Sequence, residues 1–213
     1  MRKIQCVGDI HGDFYRLKEI IKEHKGTTIV LGDVGIGFIH KYHNPTFIFD
    51  PTQPLMLEKI TNFQCNREQM LFLRGNHDNV EMCRAHHNYL GEYGVYRGIF
   101  YVSGAFSVDR AFRTEGIDWW SEEELSMEQC YKALEMYKTT KPKIVISHDC
   151  PTNILSLIYS QIIPTRTGQL LQAMFEEHQP EKWYFAHHHK GWQGELKGTT
   201  FRCLDCYEIA LVS

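Results

Sequence analysis

The stretch Val7-Gly8-Asp9-Ile10-His11-Gly12-Asp13 decides how the rest of the chain is read. A short apolar run, Ile4 to Val7, leads into it, and Phe14, Leu17, Ile20, Ile21 and His24 follow at the spacing of one helical face. That order is strand, tight turn, helix. Gly8 and Gly12 let the backbone turn sharply at the strand's end. Asp9 and His11, two apart in extended chain, project towards the same side. A carboxylate and an imidazole delivered together at a strand end are half of a metal site. Asp-x-His also arises by chance in surface loops, so the reading gains its weight from the strand ends that follow.

Thr27 to Leu31 is a β-branched run ending in Gly32-Asp33-Val34-Gly35-Ile36-Gly37, a second strand that brings a carboxylate to a glycine-rich turn. Strand, helix and strand from Lys3 to Asp33 predict a parallel β-α-β start, and ligands collect at the C-terminal ends of such strands. Gln69 to Leu73 is a third strand, ending in Arg74-Gly75-Asn76-His77-Asp78-Asn79. Lys143 to Ile146 runs into Ser147-His148-Asp149-Cys150-Pro151, and Trp183 to Ala186 into His187-His188-His189. These five strand ends therefore carry Asp9/His11, Asp33, Asn76/His77, His148 and His187/His189. Nitrogen and oxygen donors without thiolates suit manganese, iron, zinc or cobalt. The donors are too many for one ion and right for two, if one carboxylate bridges.

The segments between are less telling. Residues 38–54, with Phe38, Phe47 and Phe49, read as a long aromatic loop, either a lid or packing on the core. Leu55 to Phe63 reads as a short helix. Residues 80–91 have no clear period, which leaves His86 and His87 on the surface. Tyr93–Tyr96 and Ile99–Phe106 read as two strands about an Arg97-Gly98 turn. Arg110 and Arg113 carry planar forks suited to phosphate oxygens, or to surface ion pairs. Trp119 and Trp120 either stack on a ring or anchor a loop. Ser126-x-x-Gln129 is a capping box opening a helix striped by Met127, Cys130, Tyr131, Leu134 and Tyr137, and Glu122 to Glu124 read as solvated charge at its first turn. Leu170, Leu171, Met174 and Phe175 mark another helix. The tail, Trp192–Leu196, Thr199–Leu204 and Tyr207–Val212, reads as antiparallel strands.

Composition sets bounds. A chain of 213 residues, 43% hydrophobic and 23% charged, fits one globular domain over residues 1–213. A net charge of −3 gives no electrostatic footprint for duplex nucleic acid. Seven cysteines are an odd number without framework spacing. Cys203-x-x-Cys206 has no second pair to complete a zinc site, so reduced thiols of a cytoplasmic protein are the expectation. The first strand begins at about Lys3, leaving no room for a signal peptide, and no apolar run has the length of a membrane span. A soluble, cytoplasmic protein is expected, with no membrane partner.

Taken together the five blocks resemble the calcineurin-like metallophosphoesterases, whose pattern is Asp-x-His, Gly-Asp, Gly-Asn-His-Asp/Glu, a lone His and Gly-His-x-His, each after a strand. The match runs from residue 7 to 189. The resemblance implies an α/β (α+β) fold, a four-layer αββα sandwich of two mixed β-sheets flanked by helices. It implies two divalent ions, with manganese favoured over zinc, iron, cobalt or nickel. Asp9, His11 and His189 would hold one ion, Asn76, His148 and His187 the other, and Asp33 would bridge. His77 would stand at the leaving-group oxygen with Asp78 orienting its imidazole, and a hydroxide bridging the two ions would be the nucleophile. Arg110 and Arg113 are the candidates for binding substrate. The implied reaction is hydrolysis of a phosphomonoester or phosphodiester, on a small phosphorylated substrate such as a nucleotide or a nucleic-acid end.

The departures also inform. Protein Ser/Thr phosphatases of this superfamily carry Gly-Asp-x-x-Asp-Arg-Gly and Asn-His-Glu, where this chain has Gly32-Asp33-Val34-Gly35-Ile36-Gly37 and Asn76-His77-Asp78. Ala186 stands in place of the usual glycine. Protein phosphatase activity is thus the weaker alternative. A catalytically silent binding scaffold, the third, would show gaps among the ligands, and none is seen. The stretch from Gly104 to Arg110 with Trp119-Trp120 looks like a subset of small bacterial and phage phosphoesterases.

Overall fold

The computed structural model describes residues 3–37 and 65–212; the expected loop over 38–54 and helix over 55–63 lie outside them. The first sheet holds β1 (Ile4–Val7), β2 (Thr27–Val30), β3 (Met70–Phe72) and β10 (Ile209–Leu211) in the order β10-β1-β2-β3. β1, β2 and β3 are parallel, and β10 lies antiparallel beside β1. The second sheet holds β4 (Tyr93–Tyr96), β5 (Ile99–Val102), β6 (Ile144–Ser147), β7 (Lys182–Phe185), β8 (Trp192–Leu196) and β9 (Thr199–Cys203) in the order β4-β5-β6-β7-β9-β8. Its four inner strands are parallel and its edges antiparallel.

Alternation along the strands builds the layers. Ile4, Cys6, Ile29, Leu31 and Leu71 face inward and meet Ile99, Tyr101, Ile146 and Tyr184 from the second sheet. The opposite face of the first sheet (Val7, Val30, Met70, Phe72) is covered by Leu17, Ile20 and Ile21 of α1 (Phe14–Glu23) and Cys83 of α2 (Val80–Ala85). The outer face of the second sheet (Phe100, Val145, Trp183, Phe201) is covered by α3 (Met127–Thr140), α4 (Thr152–Ile158) and α5 (Arg166–Glu177). Two mixed sheets flanked by helices are the expected architecture.

Local signals act where they were read. The Asp13 side chain caps α1 through the Arg16 amide at 2.9 Å. Ser126 and Gln129 form both halves of the capping box on α3. Other expectations need correction. Residues 80–85 are helical, capped by Asn79; six residues are too short to display a period. The tail does not form one antiparallel unit. β8 and β9 are a hairpin, but β9 also pairs parallel with β7, and β10 crosses to the other sheet. Trp120 is buried, and the Trp119 carbonyl accepts from Gly116, so this pair anchors a loop. Glu123 and Glu124 are buried and lie before the helix. All seven cysteines are free thiols. Among the described residues no helix is long and apolar enough to cross a membrane.

One polar clasp joins the two sheets beside the strand ends. Arg74, at the end of β3, is wholly buried. Its Nε and Nη2 donate to Glu92 Oε2 at 2.9 and 2.7 Å, and its Nη1 donates to the Glu123 carbonyl at 2.6 Å. Glu92 also receives Arg84 Nε at 2.9 Å. Removing one member of a buried pair leaves the other uncompensated, at about 3–5 kcal/mol. Arg74→Met should therefore lower the unfolding free energy from urea titration by that order, and adding Glu92→Leu should restore part of it.

Candidate metal centre

The parallel strands of both sheets end at one rim. The loop after β1 is tied to the loop after β2 by Ile10 and His11 amides donating to the Asp33 carbonyl (3.1 and 2.8 Å) and by Gly12 donating to Val34 (2.8 Å). Asp33 is 1% exposed and central. Its Oδ1 accepts from the His77 amide at 2.8 Å and lies 3.3 Å from His148 Nε2. The loop after β3 approaches so closely that a Cβ on Gly75 would stand 2.0 Å from Asp33 Oδ1 and 2.6 Å from His148 Nε2. Only glycine fits there.

Three overlapping groups of donors result, each with its ligand atoms within 4.8 Å of one another. They are Asp9, His11 and His189, with Cys206 beside them; His11, Asp33 and His77; and Asp33, His148 and His187. Asn76 Oδ1 joins the last group, 3.3 Å from His148 Nε2. All seven residues expected as ligands thus converge, with Asp33 between the two ends. His11, Asp33, His187 and His189 have φ of 47°, 47°, 68° and 46°. Non-glycine residues in the left-handed region carry backbone strain, which is typical of functional loops.

The electrostatics fit cations. Asp9 is fully buried, and its Oδ2 receives no hydrogen bond although His189 Nε2 is 3.1 Å away. Burial works against charge on His148, but Asp33 and Asp9 outweigh it and push its pKa up to about 9. Burial likewise opposes the Asp33 charge, yet His148 and His77 hold that carboxyl well below its usual value. The adjacent Asp9 carboxylate raises the pKa of His189. Burial and the neighbouring His148 push His187 down to about 3. Imidazoles thus stand against two buried carboxylates, in the position where a bound cation would supply compensating charge and displace protons from its ligands. His148 Nδ1 lies 2.6 Å from the Leu31 carbonyl, a contact that turns Nε2 towards the donors. Acid, amide and imidazole donors converging in overlapping groups fit the binding of metal cations.

Asp78 works differently from the expectation. Its carboxylate accepts from the Gly35, Ile36, Val34 and Gly75 amides at 2.7, 2.9, 3.2 and 2.8 Å, so it shapes the Asp33 loop. Arg113 contacts the His77 ring, its Nη2 2.7 Å from His77 Nε2. Asp109 grips Arg113 at Nε (2.7 Å) and Nη2 (2.8 Å). Arg110 is exposed, with its guanidinium 4.5 Å over the Phe106 ring.

Sequence reading missed a supporting layer. Asn76 Nδ2 donates to Ser107 Oγ at 3.0 Å, and Ser107 Oγ donates to Glu123 Oε2 at 2.5 Å. This chain fixes which end of the amide faces the donors. Behind the other loop, His188 Nε2 lies 3.2 Å from Asp149 Oδ1 and 3.6 Å from Cys150 Sγ, while Tyr159 donates to the His188 carbonyl at 3.1 Å. With His188 held at the back, His187 and His189 turn to the rim. Ser107 and Glu123 carry no local signal; Asp149 and Cys150 directly follow His148.

The family described as calcineurin-like phosphoesterase matches residues 2–191. No curated protein matches the sequence. A conserved uncharacterized protein of Streptococcus pneumoniae, described as a predicted phosphoesterase, is 12% identical with a TM-score of 0.40, over 96% of this chain and 72% of that one. Phosphopantetheinyl hydrolase (PptH) of Mycobacterium tuberculosis is 12% identical with a TM-score of 0.49, over 99% and 95%. GAP50, the anchor in the inner membrane complex of Plasmodium, is 10% identical with a TM-score of 0.49, over 96% and 71%.

The orientation of Asn76 is open to test. Ser107→Ala frees its amide and also takes a donor from the buried Glu123 carboxylate, and loss of such a supporting hydrogen bond typically weakens metal binding by about 10–100-fold. Calorimetric titration of the metal-stripped protein with zinc or manganese should show that loss, beside a lowered thermal midpoint of the metal-free protein from the unsatisfied network.

Proposed function

We propose, from the premise that the chain belongs to the calcineurin-like phosphoesterase family and is a phosphoric ester hydrolase, that it hydrolyses small phosphomonoesters or phosphodiesters at a two-cation centre. The position of Asp33 between both donor groups carries this reading. Asp9, His11 and His189 hold one ion, Asn76, His148 and His187 the other, and Asp33 serves both. Manganese comes first among the candidate ions by resemblance, with zinc, iron, cobalt and nickel beside it. Two divalent ions supply charge that activates water and neutralises phosphate oxygens.

The chain's own residues do the rest. A guanidinium has only donors, so His77 Nε2 accepts from Arg113 and the ring's proton sits on Nδ1. Arg113 is pre-aligned by Asp109 and by the Asp118 carbonyl at 3.1 Å. A phosphate oxygen arriving at the rim competes for that fork. His77 Nε2 is then released to face the leaving oxygen, and once the ring has taken a proton from solvent on that nitrogen the imidazolium donates it to the leaving oxygen. Arg113 is the substrate-binding arginine in this reading, Arg110 lies outside it, and Asp78 is a positioning residue. Small substrates, nucleotides among them, are preferred to phosphoproteins because the Asp-Arg of the protein-phosphatase second block is missing.

Metal-stripped protein reloaded with manganese, zinc, iron or cobalt should hydrolyse p-nitrophenyl phosphate or its bis-ester, and Asp33→Asn should abolish turnover. No turnover with any ion would favour a scaffold. His77→Ala should lower kcat by about 10²–10⁴-fold on an alkyl ester, and less on a nitrophenyl ester with its good leaving group. Arg113→Ala should raise KM more than Arg110→Ala; the reverse order would displace Arg113 from its assigned role.

A further inference from the structure

The half of the centre built on Asp9 contains a donor outside the five sequence blocks. Cys206, half-buried in the turn between β9 and β10, places its Sγ within 4.8 Å of the ligand atoms of Asp9, His11 and His189. The His11 and His189 Nε2 atoms are 2.8 Å apart, and Asp9 Oδ2 beside them is buried without a hydrogen bond. A tetrahedral zinc with ordinary bond lengths holds its ligands roughly 3.3–3.8 Å from one another. Closing the group from its present span requires only small side-chain movements.

The thiol is delivered by specific packing. The Gly8 amide donates to the Glu208 carbonyl at 3.0 Å, and the Tyr207 amide donates to the Asp9 carbonyl at 3.2 Å. Tyr207 has φ 60°, a left-handed conformation held by these bonds. Within the turn, Cys206 N donates to Asp205 Oδ1 at 2.7 Å and Asp205 N to Glu208 Oε2 at 2.9 Å. A Cβ on Gly8 would stand 2.1 Å from the Asp205 carbonyl oxygen, so only glycine allows the turn to sit this close. Cys203, the other member of the C-x-x-C, is in β9 with its Sγ directed at the Ala186 carbonyl at 3.7 Å. The two cysteines therefore do not form a pair.

We propose that Cys206 is a thiolate ligand to the cation held by Asp9, His11 and His189. This rests on the two-cation reading above and deepens it. One ion then sees sulfur, two nitrogens and carboxylate oxygens, while its neighbour sees nitrogen and oxygen alone. Thiolate is a soft donor suited to zinc, and manganese is matched by harder oxygen sets. The sulfur-bearing position therefore selects zinc, ferrous iron or cobalt, and the other position accepts manganese.

Cobalt substitution of the metal-stripped full chain tests this without reference to turnover. Bound cobalt gives visible ligand-field bands whatever its donors, whereas a thiolate adds a charge-transfer band in the near ultraviolet. That band is expected in the wild type and in Cys203→Ser, and lost in Cys206→Ser and Cys206→Ala with the visible bands retained. Zinc should slow iodoacetamide alkylation of Cys206, read by peptide mass, and Cys206→Ser should lower zinc affinity relative to manganese. Visible bands without a charge-transfer band, or a band unchanged in Cys206→Ser, would overturn the thiolate and leave the two-cation centre standing. Failure to bind cobalt at all would overturn both.

Discussion

Two carboxylates, Asp9 and Asp33, are buried at the meeting point of two sheets, and the molecule is arranged around satisfying them. An ion removed from water into protein pays several kcal/mol unless opposite charge is close at hand. Here the opposing groups are imidazoles, and the nearby carboxylates raise the pKa of two of them, His148 and His189. Protons on such rings are exchangeable counterions. Divalent ions supply the same compensation more strongly, and the donors already face one another. The fold's parallel strands meet this demand geometrically, since each brings one acid, amide or imidazole to the common rim.

Holding these groups needs a second layer that is itself polar and satisfied. Asp78 gathers four amides and shapes the loop behind Asp33. Glu123 orients Ser107, and Ser107 orients Asn76. Asp149 and Cys150 hold His188 behind its two neighbours. Arg74 then ties the loop after β3 to the loop before α3. A partly satisfied network of this kind would be worse than an apolar core, so the loops are specified as strongly as the strands. Left-handed backbone at His11, Asp33, His187 and His189 is the strain that this support sustains.

The candidate donors were legible in the sequence because each piece is local: an apolar run, then an acid, amide or imidazole within a few residues, directly after a glycine at Asp9, Asp33 and Asn76. Capping of α3 was equally local. What could not be read depends on contacts across the chain. Glu123 resembles its solvated neighbour Glu122 until Ser107, sixteen residues back, is placed against it. Helices of six and seven residues, α2 and α4, span too few turns to show a period. β10 follows β9 closely, yet its partner is β1, a pairing that no pattern within the tail encodes. Asp78 was expected at a ring because it follows His77, whereas the backbone turns its carboxylate towards the amides of the Asp33 loop.

The pairing of Val7 with Ile209 has a consequence for how the molecule is made. On the ribosome the earliest strand emerges with one side bare and acquires that neighbour only some two hundred residues later. Contacts so far separated along the chain are slow to form, and an open edge invites wrong partners in the interval. A nascent chain halted just before residue 209 would carry all of its candidate metal-binding side chains but neither a closed first sheet nor a settled Cys206 turn. Maturation of the centre is thereby coupled to synthesis of the β10 segment, and chaperone contact should concentrate on the β1 edge until then.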